Sequence, residues 1–309
     1  MKTVFIDGSA GTTGLRIRER LEGRKDIQLL LLSDEKRKDP GYRKEALDSA
    51  DLSFLCLPDD AAREAVALCS SPDAVIIDTS TAHRTAPGWV YGFPELSGQR
   101  EKIKSSKRIA NPGCHASGFV SLIAPLTAAG VLSSDARLSC FSLTGYSGGG
   151  KKMIAQYENA EREALLDAPR LYGVTQNHKH LPEMKALCGL TYDPVFCPGV
   201  APYYAGMEVI VPVTPADLTC SIADLADLYQ SCYRSGLVRF VPDAGEEGFV
   251  SAGAFAGRDD MEITVLGNSD RILLVSRFDN LGKGASGSAI QNMNVVFGLP
   301  ETTGLVTGA

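Results

Sequence analysis

The N-terminal segment joins a short apolar run to a glycine-rich turn and then to a helical pattern. The run covers residues 3–6, and the turn that follows has the spacing G-x-x-G-x-x-G. Glycines at such a turn let the backbone approach a pyrophosphate, which the N-terminus of the next helix then holds. A tight turn without a ligand is the alternative, but strand, glycines and helix in this order favour dinucleotide binding. The predicted cofactor contacts are Gly8, Ser9, Ala10, Gly11, Thr12, Thr13 and Gly14.

Two different patterns follow along the chain. Up to about residue 114, continuous apolar runs at 3–6, 27–32, 52–57 and 74–78 alternate with helical patterns at 13–21 and 61–69. This alternation predicts an α/β domain with a Rossmann-like, doubly wound parallel sheet. Later strand-like runs, at 137–143, 208–213 and 271–278, have few helices between them, although 151–166 and 224–234 read as helices. They predict an antiparallel or mixed sheet in a second, α+β domain, followed by a last helix at 286–299.

Composition excludes several classes of function. The chain has 309 residues and a net charge of −6, so no basic surface for nucleic acid is expected. No apolar run is long enough to span a membrane, and the N-terminus lacks a signal-peptide pattern. The eight cysteines include no C-x-x-C pair, which disfavours a zinc site or a thioredoxin-like function. Most of them lie inside apolar runs, which is typical of reduced core thiols in a cytosolic protein. We therefore predict a cytoplasmic protein without a nucleic-acid or membrane partner.

Cys114 stands apart from the other cysteines. It follows a Pro-Gly turn and precedes the apolar run 119–126, which places it at a predicted helix N-terminus. Unpaired N–H groups and the helix dipole favour a thiolate there, and a thiolate is a strong nucleophile. A buried structural cysteine is the alternative.

Two of the four histidines form an H-x-H pair, His178 and His180. Such a pair also occurs in metal sites, but no further ligand cluster accompanies it, so we predict no metal and an acid–base role. His115 directly follows Cys114, and side chains at adjacent helix positions diverge. We therefore interpret His115 as a first-turn residue and a poor partner for the thiol.

Two loops are candidates for binding an anionic substrate. A glycine-rich cationic loop contains Ser147, Gly148 and Lys151, although a mobile linker would have the same composition. The end of the fourth predicted strand contains Ser80 and Arg84, at the edge where doubly wound sheets bind ligands. A surface arginine is the alternative reading of Arg84.

The end of the second predicted strand bears on the choice of cofactor. An acid there favours NAD, whereas hydroxyl and basic groups favour the 2′-phosphate of NADP. Ser33, Lys36 and Arg37 favour NADP, with Ser33 and Arg37 as the predicted contacts, while Asp34 and Glu35 leave NAD open.

Taken together, these motifs resemble the short form of the N-acetyl-gamma-glutamyl-phosphate reductases, within the semialdehyde dehydrogenase superfamily. The resemblance runs nearly end to end, through residues 5–15, 78–84, 91–96, 111–114, 178–183, 279–285 and 291–294. It implies an NADP-binding Rossmann domain at 1–114 plus 283–309 and a catalytic and dimerisation α+β domain at 115–282. It also implies a homo-oligomer, either a dimer or a tetramer, and an acyl-phosphate substrate from arginine biosynthesis.

The resemblance further implies roles for individual residues. Cys114 would attack the acyl phosphate, His180 would be the acid–base group with His178 in reserve, and Asn111 would help to stabilise the oxyanion. NADPH would then reduce the resulting thioester to the semialdehyde. One departure is visible: residues 115–117 read His-Ala-Ser where many family members have Tyr-Pro-Thr.

Three alternatives remain open from the sequence. An aspartyl-phosphate-specific dehydrogenase would share the cysteine, the histidine and NADP. A Rossmann-type redox sensor would bind NADP without turnover, which the presence of Cys114 and His180 disfavours. A cysteine hydrolase would leave the N-terminal glycine loop without a purpose.

Overall fold

The computed structural model describes residues 1–234 and 236–308, and these form two compact units. Unit 1 comprises Met1–Pro94, Gly98–Pro112 and Ala285–Leu305. Unit 2 comprises Glu95–Ser97, Gly113–Gly284 and residues 306–308. The segments 95–97, 113–114, 283–284 and 306–308 thus lie with unit 2, whereas the sequence analysis assigns them to the first domain.

Unit 1 is built on a six-stranded sheet in which every strand pair is parallel. The strand order is β2-β1-β3-β4-β6-β5, which agrees with the predicted doubly wound plan. The strands are β1 Lys2–Asp7, β2 Ile27–Leu30, β3 Leu52–Leu55, β4 Val75–Asp78, β5 Val90–Tyr91 and β6 Arg108–Ala110.

Helices cover both faces of this sheet. They are α1 Thr12–Leu21, α2 Pro40–Ser49, α3 Asp59–Leu68, α4 Gln99–Ser105 and the C-terminal helix Gly287–Phe297. Because successive strand residues point to opposite faces, Val4 and Ile6 pack with α1, α4 and the C-terminal helix. Phe5, between them, packs on the other face with α2 and α3. The sequence analysis missed α2, although Asp39 caps it by accepting a hydrogen bond from the N–H of Gly41 at 2.8 Å.

Unit 2 is built on a seven-stranded sheet in the order β11-β12-β13-β10-β7-β9-β8. The pairs β7–β9 and β11–β12 are parallel and the others antiparallel, so the sheet is mixed, as predicted. The strands are β7 Ser139–Gly145, β8 Arg170–Leu171, β9 Val195–Ala201, β10 Met207–Val213, β11 Val238–Phe240, β12 Met261–Gly267 and β13 Ile272–Phe278.

The helices of unit 2 lie mainly between its strands along the chain. They are α5 Cys114–Ala128, α6 Gly150–Glu158, α7 Leu181–Leu187 and α8 Ile222–Cys232. The predicted helix at 151–166 was wrong in its length, because the side chain of Asn159 accepts a hydrogen bond from the N–H of Glu161 at 3.0 Å and so forms a turn. Within the described residues, no helix has both the length and the apolar character needed to cross a membrane.

Candidate active site

The glycine loop of unit 1 has room for backbone only. Gly8 has a φ of +85°, and a Cβ there would overlap the carbonyl of Cys56. A Cβ on Gly14 would overlap the carbonyl of Gly8, so helix α1 can approach β1 only where this residue lacks a side chain. Gly11 is the N-cap of α1 and provides no side-chain cap, which leaves the first-turn N–H groups for an anion. These features fit the pyrophosphate of a dinucleotide.

A cavity beside the loop brings basic side chains to it. Gly8, Ser9, Arg37 and Lys38 all line this cavity. Arg37 also forms an ion pair of 2.9 Å with the exposed Asp34. Ser33 instead lines a neighbouring depression together with Lys36 and Tyr42. Sequence reasoning missed Lys38, because the run 36–38 has the composition of ordinary solvated surface.

Cys114 is the first residue of helix α5, as predicted. Gly113 precedes it as an extended N-cap, and the first turn of α5 contains no acidic residue, so the positive end of the helix faces the thiol. The N–H of Gly113 donates a hydrogen bond of 3.1 Å to Oε2 of Glu183. The buried Glu183 carboxylate therefore anchors the turn that carries the cysteine.

The same carboxylate faces the predicted acid–base residue. Glu183 Oε1 lies 4.0 Å from Nε2 of His180, the N-cap of helix α7. The backbone N–H of His180 donates to Nδ1 of His178 at 3.2 Å. Glu183 thus connects the N-cap of the cysteine helix to the H-x-H segment within unit 2.

Three histidines form one cluster, which we call the histidine cluster: His115, His178 and His180. The ring centroids of His178 and His180 are 4.7 Å apart, and that of His115 lies 5.5 Å from His180 and 5.8 Å from His178. Phe196 packs against it, with ring centroids 5.1 Å from His178. The interpretation of His115 as a simple first-turn residue was therefore incomplete, since its ring joins the histidines brought by a distant segment.

His115 is buried and hydrogen-bonded at both ring nitrogens. Nδ1 lies 2.6 Å from Oγ of Ser142, and Nε2 lies 2.5 Å from the hydroxyl of Tyr172. Burial, with smaller contributions from the charges of His178 and Lys179, lowers the pKa of His115 to about 3. The ring is therefore neutral near pH 7.

The predicted ligand residues of unit 1 are held by neighbours in the same unit. Ser80 Oγ donates to Asp78 at 2.7 Å, and Arg84 Nε donates to the carbonyl of Asn111 at 3.0 Å. Asn111 donates from its amide to the carbonyl of Ala285 at 2.9 Å. These contacts order the turns after β4 and β6, and ligand roles for Ser80, Arg84 and Asn111 stay predictions.

The predicted substrate loop of unit 2 lies at the start of helix α6. Ser147 is buried and accepts a hydrogen bond of 2.9 Å from Nδ2 of Asn280. Gly148 follows in the same 3₁₀ turn, and Lys151 is exposed in the first turn of α6. Sequence reasoning gave Asn280 no individual role, although it belongs to one of the family motifs.

Three buried thiols outside this site are unreactive, and the described residues offer no metal site. Burial raises the pKa of Cys56 to about 12, and it also raises the pKa of Cys140 and Cys188 well above the ordinary value. These thiols stay protonated and inert. Among residues 1–234 and 236–308, no three His, Cys, Asp or Glu side chains are grouped in a way that could hold a metal ion.

Comparison with known proteins defines the class. Residues 3–106 match the semialdehyde dehydrogenase NAD-binding domain, and residues 114–280 match the semialdehyde dehydrogenase dimerisation domain. The fold matches aspartate semialdehyde dehydrogenase II complexed with ASA from Vibrio cholerae, with a TM-score of 0.72 and 15% identity over 96% of this chain and 98% of that one. Aspartate semialdehyde dehydrogenase with NADP from Candida albicans has a TM-score of 0.69 and 13% identity over the same shares. The molecule is thus an oxidoreductase of the semialdehyde dehydrogenase type.

Curated relatives narrow this class. The chain is 44% identical to N-acetyl-gamma-glutamyl-phosphate reductase 2 of Nostoc sp., over 98% of both chains. It is 42% identical to the protein of the same name from Pseudomonas putida, over 97% of this chain and 98% of that one. The chain therefore belongs to the N-acetyl-gamma-glutamyl-phosphate reductase family. The predicted family, the two-domain α/β fold and a nicotinamide dinucleotide cofactor are confirmed.

Proposed function

We propose that this protein reduces N-acetyl-glutamyl phosphate to N-acetyl-glutamate semialdehyde and phosphate, with NADPH, as a step of arginine biosynthesis in the cytoplasm. The names of the relatives supply the substrate. The observation that carries the mechanism is the Glu183 carboxylate, which joins the N-cap of the Cys114 helix to His180. A nucleophile and a proton carrier are thereby fixed in one unit.

The first half of the reaction is an acyl transfer to Cys114. The positive end of α5 favours the thiolate, which attacks the carbonyl carbon of the acyl phosphate. A C–S bond forms, the C–O bond to phosphate breaks, and phosphate leaves with the electron pair. Backbone N–H groups at the start of α5, with Asn111 as a further candidate, stabilise the oxyanion of the intermediate.

The second half is the reduction of the thioester. When bound in unit 1, a nicotinamide cofactor would supply the hydride that reduces the thioester at Cys114 to the thiohemiacetal oxyanion. His180 holds the proton that the oxyanion receives and takes it back as the C–S bond breaks, which releases the semialdehyde and the Cys114 thiolate. His178, in ring contact with His180, is the reserve candidate for this role.

NADP is the cofactor that the cavity beside the glycine loop suits best. The loop residues 8–14 would hold the pyrophosphate, and Arg37 would hold the 2′-phosphate. Ser33, the other predicted contact, lines the neighbouring depression. Lys38 adds a second cation to the same cavity as Arg37, which supports a doubly charged group there. The substrate phosphate is assigned to Ser147, Gly148 and Lys151 of unit 2. Within unit 1, Ser80 and Arg84 are the candidate residues for binding an anion.

A homo-oligomer, either a dimer or a tetramer, is the assembly we propose. One face of the unit 2 sheet carries exposed apolar side chains, with Phe141 at 52% and Leu171 at 59% exposed. These line a shallow apolar groove together with Cys197 and Ile210. A charged substitution, Phe141→Glu, should convert the oligomer to monomers in sedimentation experiments.

The decisive assay runs the reaction backwards. Oxidation of N-acetyl-glutamate semialdehyde with NADP should require inorganic phosphate, and Cys114→Ser should lose at least about a thousandfold in kcat. Cys232→Ser, which alters an exposed thiol at the end of α8, is the matched control and should keep full activity. Turnover without phosphate would contradict the acyl-phosphate mechanism. A preference for aspartate semialdehyde would mean that the proposed substrate is wrong.

A further inference from the structure

A buried ion pair, Asp7–Arg43, lies at the end of strand β1, immediately before the glycine loop. Nε and Nη2 of Arg43 both donate to Oδ2 of Asp7, at 3.1 and 2.9 Å. Asp7 is 4% exposed and Arg43 is 6% exposed, so solvent and salt screen this pair only weakly. Arg43 belongs to helix α2, which the sequence analysis missed. Neither residue has a role in the function proposed above.

The acidic member of this pair borders the cavity that contains the proposed phosphate contacts. Asp7 lines the cavity together with Arg37 and Lys38, so a carboxylate shares it with two cations. A carboxylate repels a phosphate bound nearby, and the repulsion is stronger where the surroundings are less polar than water. An uncompensated Asp7 would therefore cancel part of the attraction that the two cations provide.

Arg43 supplies the compensating charge from helix α2. Burial raises the pKa of Asp7, Arg43 opposes that rise, and Glu64 adds to it. Glu64 belongs to α3 and is exposed, and its Oε1 lies 3.3 Å from Nη1 of Arg43. The charged side chains around Asp7 are thus Arg43 and Glu64, with Arg37 and Lys38 lining the same cavity. With Arg43 in place, Asp7 is part of a neutral pair and the cavity keeps the charge of its two cations.

We propose that Arg43 is a positioning residue for the cofactor: it holds and neutralises the Asp7 carboxylate, so that the adjacent cavity accepts a phosphate group of the dinucleotide. The inference rests on the proposed function in placing the cofactor phosphates at this cavity. An uncompensated Asp7 would repel either the pyrophosphate or the 2′-phosphate. NADH, which lacks the 2′-phosphate, distinguishes the two.

The test measures cofactor binding without substrate, by fluorescence titration with NADPH and with NADH. At about pH 8, where carboxyl groups are normally ionised, Arg43→Met should weaken NADPH binding by about tenfold. Asp7→Asn keeps an oxygen that accepts from Arg43 and removes the charge, so it should bind NADPH at least as tightly as the parent chain. The double variant removes both charges and should bind within about threefold of the parent chain.

Two further readouts of Arg43→Met separate a charge effect from a loss of structure. A larger loss for NADPH than for NADH would assign the repulsion to the 2′-phosphate, and equal losses would assign it to the pyrophosphate. Between about pH 8 and pH 6, the affinity ratio of parent chain to variant should fall, because burial raises the pKa of Asp7 and the unpaired carboxyl then takes up a proton. Titration of the 2′-phosphate occurs with both proteins and cancels in this ratio.

Arg63→Met is the matched control, because it removes an arginine of α3 that pairs with the exposed Asp60 at 3.0 Å. It should bind NADPH like the parent chain at both pH values. An equal loss of affinity in this variant would mean that the total charge of the chain, and not the compensation of Asp7, sets the binding.

Four other outcomes would overturn the proposal. They are an unchanged affinity in Arg43→Met, weaker binding in Asp7→Asn, a double variant as weak as Arg43→Met, or an affinity ratio that does not change with pH. If Arg43→Met does not fold, as judged by near-UV circular dichroism, Asp7→Asn and the double variant decide, since neither contains a buried unpaired carboxylate. A parent chain that prefers NADH would contradict the proposed cofactor. The comparison among the variants would still hold, because NADH also carries the pyrophosphate.

Discussion

The glycine loop of unit 1 and the histidine cluster of unit 2 are built in opposite ways. The loop is one contiguous segment, and its function depends on the absence of side chains at Gly8 and Gly14. The cluster brings residues from separate segments to one place through hydrogen bonds to their ring nitrogens. The acid–base role that we propose for His180 in this cluster would depend on protonation. The glycine loop should lose function when side-chain atoms are added. The histidine cluster should lose function when its protonation or hydrogen bonding is changed.

The largest effect should come from filling the loop. A Cβ in Gly14→Ala would overlap the Gly8 carbonyl, a backbone atom that cannot move without shifting the whole turn. We expect a loss of about 3 kcal/mol in unfolding free energy and at least a tenfold loss in NADPH affinity. Urea denaturation and NADPH fluorescence titration measure the two quantities.

Gly23→Ala is the matched control for that substitution, because a Cβ there meets no atom within 4 Å. It should change neither stability nor cofactor affinity by more than about 0.5 kcal/mol. Equal effects at both glycines would show that the lack of space around Gly14 is not what lowers stability and cofactor affinity.

In the second site, the largest effect should follow from removing the anchor between its segments. Glu183→Ala leaves the N–H of Gly113 without the carboxylate that accepts its hydrogen bond. We expect a loss of about 2 to 3 kcal/mol in unfolding free energy, together with a lower kcat. Glu183→Gln keeps an acceptor but removes the charge that faces His180, so it should retain most of the stability and still lower kcat. A fully active Glu183→Gln enzyme would mean that this charge does not influence His180, the proposed proton carrier.

The pH dependence of stability should also distinguish the two sites, because the histidine cluster contains a buried group that titrates, whereas the loop residues 8–14 have no ionisable side chain. The pKa of His115 is about 3 in the folded chain against 6.5 for the free side chain. Between these values the unfolded chain binds the additional proton, so the folded state loses stability as the pH falls. From pH 7 to pH 5 this contribution amounts to about 2 kcal/mol.

His115→Phe supplies the control, because it keeps a buried ring and removes the titrating group. The difference in urea stability between pH 7 and pH 5 should shrink by about 2 kcal/mol in this variant. An identical pH dependence in both proteins would show that His115 is not the buried neutral base described above. Gly14→Ala, by contrast, should lower stability equally at both pH values.

The same comparison explains what the sequence could and could not predict. The glycine loop and the helix start at Cys114 were predictable because their signals are local: glycines after a strand, and a Pro-Gly turn before an apolar run. The partners of His115 were not, since Ser142 and Tyr172 lie 27 and 57 residues away. Tertiary pairing alone brings them to the ring.

Some features were missed although a local signal existed. Helix α2 begins with Asp39 as its cap and a proline at its first position, and together these are a strong signal for a helix start. The hydrophobic pattern of the segment does not show the helix. Strand β12 alternates in burial over its first half, as expected for a strand on a sheet with one covered face. Lys38 had no such signal, because only the fold decides which members of a basic run face the loop.

The smallest effect should therefore distinguish members of that run. Arg37 and Lys38 line the cavity beside the glycine loop, whereas Lys36 lies over the ring of Tyr42 at 4.4 Å. Arg37→Ala and Lys38→Ala should each reduce the preference for NADPH over NADH by about tenfold, because each removes a cation from the cavity that we propose for the 2′-phosphate. Stability should stay nearly constant, since the Arg37–Asp34 ion pair is exposed. Lys36→Ala is the matched control, and an equal loss of preference in this variant would place the 2′-phosphate in the neighbouring depression instead.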